Sequence, residues 1–229
     1  MVRKKRICVF CSAREEKLDQ SFKSLAEESG KLIGEKGYDL VYGGSARGLM
    51  GITANNASKA GAKIIGIFPR QLSPVDCDLY LEQYNLGEYE TLNTKMDETI
   101  LVANMFDRKE KMFSLSDYFL ILPGGLGTID EFFEVLTIKS LGWHNKEIII
   151  INQDGYWDQL LLLLDKVIAK HFGSKELKKA FVVFSKIEEA FHYLEGLILP
   201  EENDIIKIEQ NFINGNESNQ FSQSSEKKG

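Results

Sequence analysis

"DYFLILPGGLGTIDE", residues 117–131, is the stretch that decides the fold. An apolar run from Tyr118 to Leu122 meets a proline and two glycines; a third glycine, a threonine and two acids follow. Apolar, β-prone residues closed off by Pro-Gly predict a strand that ends at a tight loop. Acids in the next turn predict a helix opening near Gly127. Strand, glycine loop and helix make the unit from which parallel sheets are wound, with the loop at the strand's carboxyl end.

The same unit recurs on either side. "RICVFC" (6–11) predicts a strand, and 16–36 a helix with Phe22, Leu25, Ala26, Leu32 and Ile33 in a partial stripe. "YDLVYGG" (38–44) is a second strand running into glycines, followed by a helix over 48–61 that ends at Gly61. "AKIIGIFP" (62–69) is a third strand, "DYFLILPGG" a fourth, "KEIIIIN" (146–152) a fifth and "AFVVF" (180–184) a sixth. The β-branched run Ile148 to Ile151 has no in/out alternation, which suits a strand covered on both faces. The expected fold is α/β: a Rossmann-like doubly wound parallel sheet in three α/β/α layers, with right-handed crossovers. One domain is expected over 1–199. Residues 70–95, with Pro74 and several acids, predict a loop over one end of the sheet. Residues 200–229 are polar and are expected to be disordered when free, with "IIKIEQNFI" (205–213) as a short docking strand or helix.

Composition narrows the function. Of 229 residues, 43% are hydrophobic and 27% charged, an ordinary balance for a globular chain with a sizeable core. A net charge of −6 argues against a nucleic-acid binder, which shows a basic footprint. No apolar run approaches the length of a membrane span. The basic start, "MVRKKRICVF", has too short an apolar stretch for a signal peptide and predicts a charged lead-in to the first strand, so a cytoplasmic location is expected. Cys8 and Cys11 form a C-x-x-C, but inside a strand pattern rather than at the start of a helix, so they predict a buried structural pair and not a redox motif. His144, His171 and His192 have no metal-ligand spacing, and no metal is expected.

Two glycine loops, "YGGSARGLMG" (42–51) and "PGGLGTIDE" (123–131), join strands to helices at one end of the expected sheet. Glycines allow the backbone to come close to a ligand, and the amides at a helix start favour an anion. Gly43, Gly44, Gly124, Gly125 and Gly127 are therefore candidate binding residues, and the hydroxyls of Ser45 and Thr128 could add donors. "GGSARG" lacks G-x-G-x-x-G spacing, and no G-K-[ST] follows either loop. A mononucleotide phosphate fits better than a dinucleotide or an ATPase site.

A carboxylate beside such a cradle needs a reason, and Glu131 lies about one turn into the second helix. On a helix-start reading it merely complements the dipole. On a chemical reading it acts on the sugar that the phosphate anchors. Upstream, "MFDRKEKM" (105–112) puts Arg108 between Met105 and Met112 on one helical face. A solvated charge run explains Lys109, Glu110 and Lys111 better than it explains Arg108.

With "VYGGSARGLMG", M-x-x-R-K-x-x-M and "PGGLGTIDE" in place, the chain resembles the Lonely Guy (LOG) family of phosphoribohydrolases over residues 6–195. That resemblance implies cleavage of the N-glycosidic bond of cytokinin riboside 5′-monophosphates, or of AMP, to free base and ribose 5-phosphate. It implies Arg108 and Glu131 as the catalytic pair, a nucleotide site along Gly125 to Glu131 with Lys109, and a further substrate contact at Thr137. It implies a homodimer, for which the apolar "VLTIKSLGW" (135–143) is a candidate surface, and no cofactor. The first loop, "CSAR", and the second, "YGGSA", depart from the C-G-S-S-like and Y-G-G-G-S patterns usual in the family. A family glutamate expected in 70–95 falls on Glu88 or Glu90. Relatives of this fold carry the label lysine decarboxylase, which needs a lysine that forms a Schiff base with pyridoxal phosphate. Lys95, Lys109 and Lys111 lie in polar, charged stretches and show no such mark. A non-catalytic nucleotide or molybdenum-cofactor carrier is the alternative function; it needs the glycine loops but not Glu131 with Arg108.

Overall fold

The structure, a computed structural model, describes residues 3–70 and 96–198. Expectations for the 70–95 loop beyond Arg70, for Glu88 and Glu90, and for the 200–229 tail lie outside the described residues. Met1–Ala190 form one compact unit, which contains the whole sheet; the described part of a second unit, Phe191–Gly229, is the last turns of one helix.

Seven strands, β1 (Arg6–Phe10), β2 (Asp39–Tyr42), β3 (Ile64–Pro69), β4 (Glu98–Val102), β5 (Tyr118–Ile121), β6 (Glu147–Ile151) and β7 (Val182–Phe184), form one sheet in the order β4-β3-β2-β1-β5-β6-β7. Every pairing is parallel. The described α-helices are α1 (Gln20–Glu35), α2 (Gly48–Lys59), α3 (Met105–Leu115), α4 (Leu126–Ser140), α5 (Asp158–Ala169) and α6 (Ile187–Ile198). The expected doubly wound α/β sheet is present.

The order matters for the site. The chain winds outward from β1 to β4, then returns to lay β5 on the other side of β1. The winding direction reverses between β1 and β5, and the crevice beyond the carboxyl ends of such a pair is where open α/β sheets bind ligands. The loop that leaves β5 is Pro123-Gly124-Gly125.

The core follows from the sequence pattern. Ile148 to Ile151 are fully buried, as expected of a central strand covered on both faces. Cys8, Phe10, Val41, Ile65, Ile67, Met112, Phe119, Ile121 and Phe132 belong to one hydrophobic cluster. Phe10 and Phe113 each stack on Phe119 at 5.7 Å between ring centroids. Cys8 and Cys11 are buried free thiols. Burial, with the Glu131 charge next in weight, pushes the Cys8 thiol well above its ordinary pKa, which removes it from redox chemistry.

Two expectations are corrected. β4 is a strand that the sequence reading did not include. It is an edge strand with alternating partial exposure, and "ETILV" has neither glycine punctuation nor a continuous apolar run to mark it. The first helix begins at Gln20 rather than 16, because the Asp19 side chain accepts the amide of Ser21 and caps it there. Among the described residues, no helix is long and apolar enough to cross a membrane.

Candidate active site

Three loops meet at the reversal point. The segment after β1 lies between the two glycine loops: the Ser12 amide donates to the Pro123 carbonyl at 3.2 Å, and the Met50 amide donates to the Ser12 carbonyl at 3.2 Å. Gly48 sits with φ +57° against the backbone of Ser12, Ala13 and Arg14, where any side chain would collide. The "CSAR" segment therefore acts as a spacer that sets the distance between the two glycine loops.

The second loop is shaped for close approach. The N-cap of α4 is Gly125, which has no side chain with which to cap the helix, so the first amides of α4 are left for an outside acceptor. A methyl on Gly124 would overlap Thr128, whose side chain folds back on the loop; a methyl on Gly125 or Gly127 would meet open space. The glycine at 124 is thus required by packing, whereas those at 125 and 127 leave a bare backbone facing outward. Tyr156 closes the arrangement. Its hydroxyl donates to the Gly124 carbonyl at 2.7 Å, and its ring makes edge contacts with Phe22 and Trp157. A trans peptide places its C=O and N–H on opposite sides, so a carbonyl turned toward Tyr156 turns the Gly125 amide away from it.

Arg108 and Glu131 come together beside these loops. α3 is capped by Asn104, whose side chain accepts the amides of Phe106 at 2.8 Å and Asp107 at 3.0 Å. One turn later Arg108 enters the interior and is 3% exposed, on the same buried face as Met112. Its Nε donates to the Ile67 carbonyl at 3.2 Å and its Nη2 to the Gly43 carbonyl at 3.1 Å. Nη1 lies 3.6 Å from Glu131 Oε1, and Glu131 is 5% exposed. A buried carboxylate is stable only beside compensating charge or donors, and the fixed guanidinium supplies it. A methyl on Gly43 would occupy the space of the guanidinium, so any side chain there would displace it.

The remaining expected residues divide. Gly44 has φ +80° and turns the chain under Phe68. Ser45 is fully buried and its hydroxyl accepts the Arg47 amide at 3.2 Å, so it shapes the turn. Thr128 is buried against Gly124. Lys109 lies beside the pair, but its amine meets Asp130 at 3.0 Å and Glu134 at 2.8 Å. Thr137 is not brought to the pair. Six residues on from Glu131 it is displaced by about 120° round the helix and about 9 Å along it. It is exposed and lines a groove of about 370 Å³ with Phe133, Leu136, Leu164, Phe172 and Leu177. Tyr156 was missed from sequence, since a lone tyrosine after a strand carries no motif; only the fold brings it 32 residues back to Gly124.

Comparison with known proteins bears on this geometry. A family model described as "possible lysine decarboxylase" matches residues 50–194. The cytokinin riboside 5′-monophosphate phosphoribohydrolase LOG3 of Arabidopsis thaliana is 35% identical over 191 residues, covering 83% of this chain and 82% of that protein. The chain belongs to the LOG family. A second LOG relative, the probable phosphoribohydrolase LOGL6 of Oryza sativa subsp. japonica, is 35% identical over 84% of this chain and 71% of its own length. Among solved structures, a molybdenum cofactor binding protein from Rippkaea orientalis aligns with a TM-score of 0.61 over 86% of this chain and 99% of its own, at 21% identity, a likeness of fold.

Among the described residues, neither Lys109 nor Lys146 fits the decarboxylase label. A Schiff-base lysine needs an amine that is easily neutral and open to the ligand crevice. Lys109 is held between two carboxylates, and although burial works against its charge, the hydrogen bonds it donates to Glu134 and Asp130 raise its pKa above the ordinary value. Burial does lower the Lys146 amine, but Lys146 precedes β6, at the opposite end of the strands from the glycine loops, and donates to the Phe113 carbonyl at 2.6 Å.

Proposed function

We propose that this protein hydrolyses the N-glycosidic bond of purine nucleoside 5′-monophosphates, of the cytokinin type or AMP itself, to free base and ribose 5-phosphate. The observation that carries the reading is the buried Arg108–Glu131 pair, set beside an outward-facing glycine loop at the reversal point of the sheet. The names of the LOG relatives point the same way.

The geometry suggests a division of labour. The amides at the start of α4, with Gly124, Gly125 and Gly127 giving access, take the 5′-phosphate. That anchoring brings the anomeric carbon to Glu131. Cleavage passes through an oxocarbenium-like state, and a fixed carboxylate in a dry site stabilises that cation far better than water does. Glu131 also orients and deprotonates the attacking water. A bond forms from the water oxygen to C1′, the C1′–N bond breaks, and its electron pair leaves with the purine. Arg108, always charged, is a poor proton donor, so the base is protonated through water. Held by Gly43 and Ile67, the guanidinium faces Glu131 at 3.6 Å and holds the departing base or the phosphate.

A carrier of a nucleotide or of molybdenum cofactor would use the glycine loops but would give no task to a carboxylate buried against an arginine. Incubation with AMP or N6-prenylated AMP, followed by chromatography, separates the two: equimolar free base and ribose 5-phosphate are expected. Recovery of intact nucleotide bound to the protein would overturn the hydrolase reading.

The homodimer belongs to this proposal. Leu141 and Trp143, just past α4, are large apolar residues exposed by 59% and 76%. Two-fold pairing is the commonest way such surfaces are covered. Light scattering at micromolar concentration should give twice the chain mass, and a monomer would refute it.

A further inference from the structure

We propose that the turn at residues 144–147 is a clamp that sets α4 against α3 and so positions Glu131 at Arg108, with His144 and Lys146 as positioning residues for the reaction. The inference rests on the hydrolase reading above and assigns a role within it. The turn, "HNKE", leads from the end of α4 into β6. Three of its four side chains reach back to the two helices that carry the pair. His144 Nε2 donates to the Val135 carbonyl of α4 at 2.9 Å. Glu147 Oε1 lies 3.5 Å from Lys139 Nζ, one turn further along α4. Lys146 Nζ donates to the Phe113 carbonyl of α3 at 2.6 Å.

These contacts act as one clamp because the arms are joined inside the turn: the Lys146 amide donates to His144 Nδ1 at 3.1 Å. The buried His144 ring fills the angle between the arms. It meets Phe113 of α3 edge-on at 5.1 Å and Phe119 of β5 at 6.0 Å between centroids, and Phe113 stacks on Phe119. The Lys146 ammonium also lies 4.1 Å from the centroid of the Phe113 ring, so it holds the last turn of α3 through backbone and ring together. Val135 and Lys139 are one turn apart, so α4 is held at two heights, which fixes its rotation as well as its position. Both arms act close to the pair. Phe113 lies five residues after Arg108, about 7.5 Å along α3, and Val135 lies four after Glu131, about 6 Å along α4. Lys109 joins the same helices at Asp130 and Glu134, nearer the glycine loops. Attachment at two levels sets the angle between two helices, which attachment at one level does not. Releasing the lower arms lets either helix tilt about the upper contacts and shifts Glu131 relative to Arg108.

The test uses the full chain and AMP. His144→Phe keeps a ring and removes both nitrogens; Lys146→Met keeps the stem and removes the ammonium. These, the double variant, Lys146→Arg and a control, Ile33→Val, are compared for kcat, KM and melting temperature. Ile33 is a buried residue of α1 with no part in the clamp. A displacement of about 1 Å at a reacting group costs up to about 100-fold, so a slackened clamp should lower kcat about 5- to 20-fold in each single variant, with KM within about threefold. The double variant should lose less than the product of the single losses, since both arms belong to one device. Lys146→Arg still offers a donor to the Phe113 carbonyl and a cation to its ring, and should recover most of the rate. Ile33→Val should lower the melting temperature and keep kcat. Full kcat in both single variants, losses that multiply in the double variant, or a control that loses kcat in proportion to its melting temperature would overturn the clamp and leave the hydrolase standing. So would a raised KM with kcat unmoved. If Lys146→Met does not fold, His144→Phe and Lys146→Arg decide, and full kcat in His144→Phe overturns the proposal. A wild-type protein that releases no base from AMP would instead bring down the hydrolase reading, and the clamp's part in catalysis with it.

Discussion

Glu131→Gln keeps the length and polarity of the side chain and removes its charge. Two unit charges 3.6 Å apart attract by about 5 kcal/mol at an effective dielectric near 20. Most of that is offset by the cost of burying a carboxylate that is only 5% exposed. Arg108 keeps its bonds to the Ile67 and Gly43 carbonyls, so a net loss of about 1–3 kcal/mol is expected, the range for leaving a buried polar partner unsatisfied. In a domain of this size that lowers the melting temperature by about 3–10 °C. The effect on catalysis should be larger in kind. A carboxylate that faces the sugar cation acts mainly in the transition state, and removing such a group costs about 10²–10³ in turnover. AMP affinity should change by less than about threefold, or tighten, because a negative charge near the phosphate disappears. Turnover, AMP affinity by calorimetry and melting temperature are measured on one preparation. Wild-type turnover with a lowered melting temperature would refute the argument and reduce Glu131 to an acid at a helix start.

Other consequences are as direct. Gly43→Ala places a methyl in the space of the Arg108 guanidinium, so kcat on AMP should fall at least about 100-fold, with the far-ultraviolet circular dichroism unchanged. Tyr156→Phe removes the hydroxyl that holds the Gly124 carbonyl; a lost hydrogen bond of about 0.5–1.5 kcal/mol predicts a KM for AMP raised about 2- to 10-fold with kcat nearly constant. His144 carries a pH dependence of stability. Its ring accepts the Lys146 amide through Nδ1 at 3.1 Å, so Nε2 carries the proton and donates to the Val135 carbonyl at 2.9 Å. Burial, and then the charges of Lys139 and Lys146, push its pKa below the ordinary value, against the opposing hydrogen bond to Val135. A group with a depressed folded pKa that is neutral in the fold contributes fully above the unfolded value, about 6.5, and that contribution is lost as the pH falls below it. Melting temperature should therefore drop between pH 7.5 and 5, and His144→Gln should flatten this part of the drop; an equal drop in the variant would contradict the assignment.

What could be read in the sequence depended on how local the signal was. β5 with its glycine loop and β6 with its isoleucine run announce themselves within a few residues, because a doubly covered strand must be apolar throughout. Arg108 was visible as a charge on an apolar face, and its 3% exposure answers that anomaly. β4 was not visible, since an edge strand needs only one packed face and a partner that lies far off in sequence. Gly43 was marked as a site of close approach, but its visitor is the guanidinium of Arg108, which only the placement of α3 over β2 and β3 could reveal. Nothing in "RKEK" says that Lys109 will meet two acids of the next helix, since those partners lie over twenty residues on. The acceptor role of the Ser45 hydroxyl toward the Arg47 amide likewise depends on the turn geometry and leaves no mark in the sequence.

The measurement that bears most directly on the central claim compares AMP with adenosine as substrates of the wild-type protein. If the α4 cradle anchors the 5′-phosphate and thereby delivers the anomeric carbon to Glu131, kcat/KM for AMP should exceed that for adenosine by at least about 10³, the order of a phosphate's binding energy used in the transition state. The products from AMP should be adenine and ribose 5-phosphate in equal amounts. Equal rates on nucleoside and nucleotide, or no base released from either, would contradict it.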